Sequence, residues 1–363
     1  MLVADLDKRT IFFSRLLKDI KKLRVERREF CSELDVLRAH LEWILRPPRS
    51  CLILGDGNFS FSLALATLHP MMRISATVLE ANEDEFLARY GAEAILERLQ
   101  ALPNVRIRFG VDATRAETFP EGPFDCILMN FPHHGGKTNL RLARRLLAGI
   151  LSGVSEFIER NSPTSTFRLT LKREQTEFRY FDRVALSQDD WISDVQHYMD
   201  SWQVLYLAAE TALECTRTSP FDPGFFPGYD AAGYKRSAKG FDNLYGVTYH
   251  LSCTRGLPMK HLTPLRPIFE HHFSFVAQPG SENRFSDVPQ LVESQVAVHT
   301  TLRCEEIVEK RTADPAGRQN RIFRVVFQPT PPTSKRRCND LVDEARLRIS
   351  DELTTTGNSL SLT

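Results

Sequence analysis

Four short stretches carry side chains that suit a nucleotide-like ligand. The first is Cys51-Leu52-Ile53-Leu54-Gly55-Asp56-Gly57-Asn58-Phe59-Ser60-Phe61, where a hydrophobic run empties into two glycines and then into the Ala-rich helical pattern of Leu63 to Leu68. A strand, tight turn and helix of this kind bring small residues and backbone N–H groups against a ligand at the carboxyl end of a strand. The spacing is not Gly-x-Gly-x-x-Gly, because Phe59 or Ser60 occupies the third glycine position. No Gly-Lys-Ser/Thr follows either, which argues against a nucleoside-triphosphate loop. An ordinary βα turn would use the same Gly, Asp and Asn residues, and that reading stays open.

The second stretch ends at Glu80, whose carboxylate can accept both hydroxyls of a ribose or simply open a solvated loop with Glu83, Asp84 and Glu85. The third is Gly110-Val111-Asp112-Ala113-Thr114, where Asp112 either accepts from an adenine amino group or caps a turn. The fourth is Asn130-Phe131-Pro132-His133-His134-Gly135-Gly136. Phe131 and Pro132 make a stiff apolar wall of the sort that clamps a flat base, and His133 can exchange a proton near neutral pH. His134 reads as a loop-packing residue. The two histidines lack a third ligand at metal-site spacing, so no metal is expected.

These stretches sit where an alternating βα pattern would place them. Strands are predicted at Ser50–Leu54, Arg73–Leu79, Val105–Phe109, Phe124–Asn130, Thr166–Leu171, Leu213–Thr218 and Tyr245–Cys253. Helices are predicted over residues 10–46, Asp84–Leu102, Leu140–Phe157 and Trp202–Leu213. The fold class is therefore α/β, a seven-stranded, mainly parallel sheet with helices on both faces. The last two strands have no helix between them, so a hairpin with an antiparallel edge strand is expected. The chain divides into a basic amphipathic helical extension (1–48), the βα domain (49–256), a small C-terminal extension (257–328) and a flexible polar tail (329–363) that starts at Pro329-Thr330-Pro331-Pro332. In the extension, His271–Ala277 and Arg321–Gln328 read as strands, and Leu302–Glu309 as strand or short helix.

Composition is that of a globular protein, with 363 residues, 42% apolar and 26% charged, and a net charge of +1. The near-neutral total conceals a basic N-terminal segment, with 12 basic against 8 acidic residues over positions 1–50. Lys18, Lys21, Lys22 and Arg24 supply much of it, and Lys137, Arg141, Arg144 and Arg145 form a second cluster beside the histidine loop. Both are candidate phosphate contacts, or else solvated helix faces. Seven scattered cysteines make no C-x-x-C pair, which reads as reduced thiols used as small hydrophobes. No apolar run reaches membrane-spanning length, so no membrane association is expected. The N-terminus lacks a secretory pattern, while Asp5 and Asp7 weigh against a mitochondrial leader and leave it open.

The combination of Leu54 to Ser62, Ala76-Thr77, Val111 to Thr114, Phe124-Asp125 and Asn130 to His133 resembles the 25S ribosomal RNA (uridine-N3) methyltransferase-like family, which has a Rossmann-like fold and uses S-adenosylmethionine. Leu169 to Lys172, Trp202 and Phe226-Pro227-Gly228-Tyr229 continue the match in order, to about residue 245. The resemblance implies that Gly55, Asp56, Gly57, Asn58 and Phe59 hold the methionine part of S-adenosylmethionine, with Glu80 at ribose and Asp112 and Ala113 near adenine. Asn130, Phe131, Pro132 and His133 would line the methyl-transfer pocket, with Asn130 on an imide carbonyl, Phe131 stacked on the ring and His133 taking the N3 proton. Glu80 stands where the family more often has Asp, and an insertion separates Lys172 from Trp202. Implied partners are RNA, ribosomal first with transfer RNA as the alternative, and a pre-ribosomal particle. The implied compartment is nucleolus or cytoplasm. A non-catalytic RNA-binding or assembly factor on the same fold is the second reading. Some animal relatives fuse this domain to a ferredoxin-fold anticodon-binding module, to which nothing after residue 256 shows a convincing match.

Overall fold

The computed structural model describes residues 32–135, 139–177, 201–231, 246–253, 263–296, 299–329, 332–357 and 359–363. They fall into two compact units that divide near residue 256.

The first unit is built on a seven-stranded sheet in the order β3-β2-β1-β4-β5-β7-β6. β1 (Ser50–Ile53), β2 (Arg73–Thr77), β3 (Val105–Arg108), β4 (Cys126–Asn130) and β5 (Thr166–Leu171) run parallel. β7 (Gly246–Cys253) is antiparallel to both its neighbours, β5 and β6 (Leu213–Phe221). The expected hairpin is present, but its antiparallel member is not at the edge. β7 buries six successive residues and needs cover on both faces, whereas Thr216 and Arg217 of β6 reach solvent.

Helices cover the sheet as α1 (Glu33–Leu45), α2 (Ser60–Leu68), α3 (Glu83–Tyr90), α4 (Glu93–Gln100), α5 (Leu140–Asn161) and the short α6 (Val204–Ala208). The single helix expected from Asp84 to Leu102 is two, because Gly91 adopts φ 54° and closes α3 with its N–H on Leu87 O. The helix expected over Trp202–Leu213 shrinks to α6. α1, started by a reciprocal Ser32–Asp35 cap, is the described part of the N-terminal helical extension. It lies over a polar strip of the sheet. Glu42 accepts from Arg168 Nη2 at 2.8 Å and from Arg217, and Arg168 lies 4.6 Å from the Trp43 ring centroid. Beside them Thr170 and Thr248 hydroxyls are 3.0 Å apart, and Ser219 Oγ is 2.8 Å from His250 Nε2.

The second unit contains β8 (Phe269–Ala277), α7 (Val288–Gln295), β9 (His299–Glu306), the two-residue β10 (Thr312–Ala313), β11 (Gln319–Pro329), α8 (Lys335–Thr355) and β12 (Leu360–Leu362). Its main strands lie in the order β12-β8-β11-β9, every neighbour antiparallel. A βαββαβ chain with that order is ferredoxin-like. Phe273, Phe275, Phe323 and Phe327 on the strands and Val342, Ala345, Ile349 and Leu353 of α8 are all buried. Where a flexible tail is expected, Lys335–Thr355 form α8 and Leu360–Leu362 form β12. Cys338, Val342, Ala345, Ile349 and Leu353 recur at helical spacing beneath a polar composition, and Ser334 caps the start.

Candidate active site

The carboxyl ends of β1, β2 and β4 and the loop after β3 open into one cleft of about 300 Å³. It lies beside β1, where the strand order reverses, which is the position for a ligand in an open α/β sheet. Gly55, Asp56, Gly57, Asn58, Glu80, Asp112, Ala113, Asn130, Phe131, Pro132 and His133 all line it. Eleven residues from four separate stretches of sequence therefore meet around one space.

The glycine loop is shaped by backbone conformations that favour glycine. Gly55 and Gly57 have φ of 61° and 55°, and a Cβ at Gly55 would sit 3.3 Å from Met129 Cε. Phe59 departs from its expected place on the ligand side. It is fully buried at φ 61°, with its ring 4.8 Å from that of Phe86, so it anchors the loop from beneath. The Asp56 carboxylate accepts Ser62 N–H at 2.8 Å and the Ser62 hydroxyl, capping the first turn of α2. Burial pushes its pKa up to about 7, against the lowering effect of those hydrogen bonds.

Glu80 is buried at the tip of the β2 loop. Its Oε1 accepts from Arg89 Nη1 at 2.7 Å and from the Tyr90 hydroxyl at 3.3 Å, while its buried Oε2 has no partner among the described residues. A buried carboxylate oxygen without a donor costs free energy unless something supplies one, and a ribose hydroxyl would. Burial and then Glu80 push the Tyr90 phenol up to about 12, so it remains a donor throughout the physiological range. Asp112 resolves toward the turn: its Oδ1 accepts Thr114 N–H at 2.9 Å and Thr114 Oγ1 at 2.7 Å. The loop it caps rests on α5, where Gly149 and Gly153 leave room for Thr114 and for the backbone of residues 113–115.

At the exit of β4, Phe131 holds φ 50°, a strained value for an aromatic residue. Its N–H donates to Thr170 O at 2.8 Å, and its ring meets Phe221 edge-on at 5.3 Å and approaches Gly246. The ring therefore packs inward against the aromatic core rather than standing ready to stack on a base. His133 Nδ1 accepts Gly135 N–H at 2.8 Å, so the neutral ring carries its proton on Nε2. Burial and the adjacent His134 lower its pKa from the ordinary value. That tautomer offers a donor, which is at odds with the expected proton acceptor.

Of the expected RNA contacts, Lys18, Lys21, Lys22, Arg24 and Lys137 lie outside the described residues. Arg141 and Arg145 are exposed on α5. Arg144 instead donates through Nε and Nη2 to Ser201 O, at 2.9 and 2.7 Å, and so ties α5 to the segment before α6. Sequence reasoning missed Arg89, Tyr90, Tyr229 and Asp230, which also line the cleft. Arg89 and Tyr90 end α3, the helix that follows Glu80, and Tyr229 ends the Phe226-Pro227-Gly228-Tyr229 motif that had no assigned role, with Asp230 next in sequence.

The doubly wound sheet, with one antiparallel strand next to its edge and a cleft at the switch point, is that of the Rossmann-like S-adenosylmethionine-dependent methyltransferases. The small-residue cradle, the orphaned Glu80 oxygen and the Asp112 loop fit a cofactor with an adenosine part. The family profile described as BMT5-like, rRNA (uridine-N3-)-methyltransferase BTM5-like, matches residues 52–233, and the chain belongs to that family. Ferredoxin-fold anticodon-binding domain-containing protein 1 of Homo sapiens is 32% identical over 223 residues, which are 60% of this chain and 32% of that protein. Its Mus musculus homolog is 29% identical over 240 residues, 64% of this chain and 35% of the homolog. The chain thus spans about a third of the length of these curated relatives. Among solved structures, TrmN from Thermus thermophilus aligns with a TM-score of 0.34 and 18% identity over 60% of this chain and 47% of that one. The 16S rRNA methyltransferase KamB aligns with a TM-score of 0.35 and 14% identity over 62% and 94%.

Proposed function

We propose that the protein methylates N3 of an unpaired uridine in RNA, with ribosomal RNA the first substrate class. The observation that carries the cofactor half of this reading is the buried Glu80 Oε2, without a partner among the described residues, on the wall of a cleft that also holds the glycine loop and Asp112. Family membership supports the substrate half. When bound, S-adenosylmethionine supplies an electrophilic methyl on a sulfonium. Glu80 would hold the ribose hydroxyls, the Gly55–Asn58 loop would leave space for the methionine part, and the Ala113 backbone would border adenine. N3 lies on the pairing edge of uracil, so the base must be turned out of any helix to enter. Asn130 would hold one imide carbonyl, and the Nε2–H of His133 would polarise the other, which acidifies N3–H so that water can take its proton. A ribosomal substrate gives a nucleolar or cytoplasmic address.

Transfer RNA is the second reading, favoured by the ferredoxin-like topology of the second unit and by the anticodon-binding domain in the names of the human and mouse relatives. The deciding experiment maps methylated nucleosides in ribosomal and transfer RNA from cells lacking the protein. Restoration of 3-methyluridine by wild type but not by Gly57→Val supports the proposal. RNA binding with no nucleoside change in either pool would identify a non-catalytic factor instead.

A further inference from the structure

Four carboxylates line the cleft: Asp56, Glu80, Asp112 and Asp230. Three are already committed. Asp56 caps α2 through Ser62, Glu80 pairs with Arg89, and Asp112 closes its own turn with Thr114. Asp230 differs, because its backbone is fixed while its carboxylate has no partner among the described residues. Ser60 Oγ donates to Asp230 O at 2.8 Å and accepts from Asp230 N–H at 3.0 Å, and Asn58 Nδ2 donates to the same carbonyl at 3.1 Å. Asn58 and Ser60 are both buried, so these bonds are shielded from competing water. The preceding Tyr229 lodges its ring 5.3 Å from Phe61 and 5.9 Å from Phe221. The end of the Phe226-Pro227-Gly228-Tyr229 motif is therefore stapled to the glycine loop across 170 residues of sequence.

We propose that this segment walls the amino-acid end of the cofactor site and that the Asp230 carboxylate receives the α-ammonium of S-adenosylmethionine. The assignment rests on the reading that the cleft holds that cofactor. Glu80 and Asp112 mark the adenosine end, and the staple places Asp230 at the opposite, glycine-loop end. An ammonium leaving water needs a compensating anion, and a charge-assisted hydrogen bond to a carboxylate supplies it. Each of the other three carboxylates lining the cleft already accepts at one oxygen or more, and the open Glu80 Oε2 belongs to the ribose end.

The test compares two ligands that differ only at the amino-acid end. S-adenosylhomocysteine carries the ammonium, and 5′-methylthioadenosine keeps the adenosine and sulfur without it. Calorimetry on the full chain should show that Asp230→Asn weakens S-adenosylhomocysteine by roughly 10- to 100-fold, the effect of one charge-assisted hydrogen bond. The same variant should bind 5′-methylthioadenosine like wild type. Glu80→Gln should weaken both ligands, which shows that the assay responds to the shared part. Unchanged S-adenosylhomocysteine affinity in Asp230→Asn, or equal loss of both ligands, would overturn the assignment. Wild-type protein that binds neither ligand would refute the cofactor reading itself, and this assignment with it.

Discussion

A single methyl group at Gly153 should disturb the adenosine side of the cleft from behind. A Cβ there would lie 2.9 Å from Ala113 O and from Thr114 C, and 3.2 Å from Arg115 N. All three are backbone atoms that cannot rotate away, and comfortable contact begins near ~3.5 Å. The loop and α5 must therefore part by roughly half an ångström. Two effects oppose each other in stability. Alanine in place of glycine within a helix gains about 1 kcal/mol, while overpacking costs about 1–3 kcal/mol. The net loss of about 1 kcal/mol corresponds to roughly 2–4 °C in melting temperature for a unit of this size. Because Asp112 and Ala113 ride on the displaced loop, affinity for S-adenosylhomocysteine should fall by roughly fivefold, again about 1 kcal/mol. Gly149→Ala is the control, since its Cβ would meet only the Thr114 side chain, at 3.0 and 3.1 Å. Differential scanning calorimetry and ligand titration of both variants decide the matter. If Gly153→Ala melts at or above the wild-type temperature and binds the ligand unchanged, the notch does not position the loop.

Asp56, pushed up to about 7 by burial, keeps its proton in the native state over a range where the unfolded carboxyl, near ~3.9, has lost it. The native state then binds more protons between those values, so this group's contribution makes stability fall as pH rises from about 4 to 7. Asp56→Asn should flatten that slope and raise the melting temperature relative to wild type at pH 8 more than at pH 5; parallel melting curves at all pH values would contradict it. For RNA, neutralising Arg141 and Arg145 together should shallow the salt dependence of binding by roughly one unit per lost phosphate contact. Arg144→Ala should instead lower the melting temperature, having lost both bonds to Ser201 O, and an unaltered melt would show that the tie is idle. His133→Ala should slow single-turnover methylation without removing any limb of its pH profile near the histidine range. A limb demanding the deprotonated ring, lost in that variant, would restore His133 as the base.

The strands and the cleft were legible because they depend on local signals. Short apolar runs ending in Gly55, Glu80, Gly110 and Asn130 fix both the sheet and the ends that face the ligand, and only the boundaries moved by a few residues. Side-chain direction was not legible. Phe59 and Phe131 stand in ligand-facing stretches, yet left-handed backbone turns both rings into the aromatic core. Arg144 shares a helix with Arg141 and Arg145, but its partner, Ser201 O, is 57 residues away and has no sequence signature. Strand order was hidden for the same reason. Nothing local tells β7 to enter between β5 and β6, nor β8 to pair with both β11 and β12. The α8 periodicity was present in the sequence and was masked by the prolines before it and the charged residues around it.

The position of β7 sets a lower bound on what can be cut out of this chain. The stretch recognisable as the family ends at residue 233, and β7 begins at Gly246. A fragment trimmed to the recognisable stretch would keep β5 and β6 and lose the strand that joins them. It would expose two long rows of unpaired backbone groups in the middle of the sheet, a template for intermolecular pairing. It would also remove Glu42, leaving Arg168 and Arg217 facing each other without their shared counter-ion. A fragment that keeps β7 between its neighbours and Glu42 against the two arginines runs from before α1 to beyond Cys253.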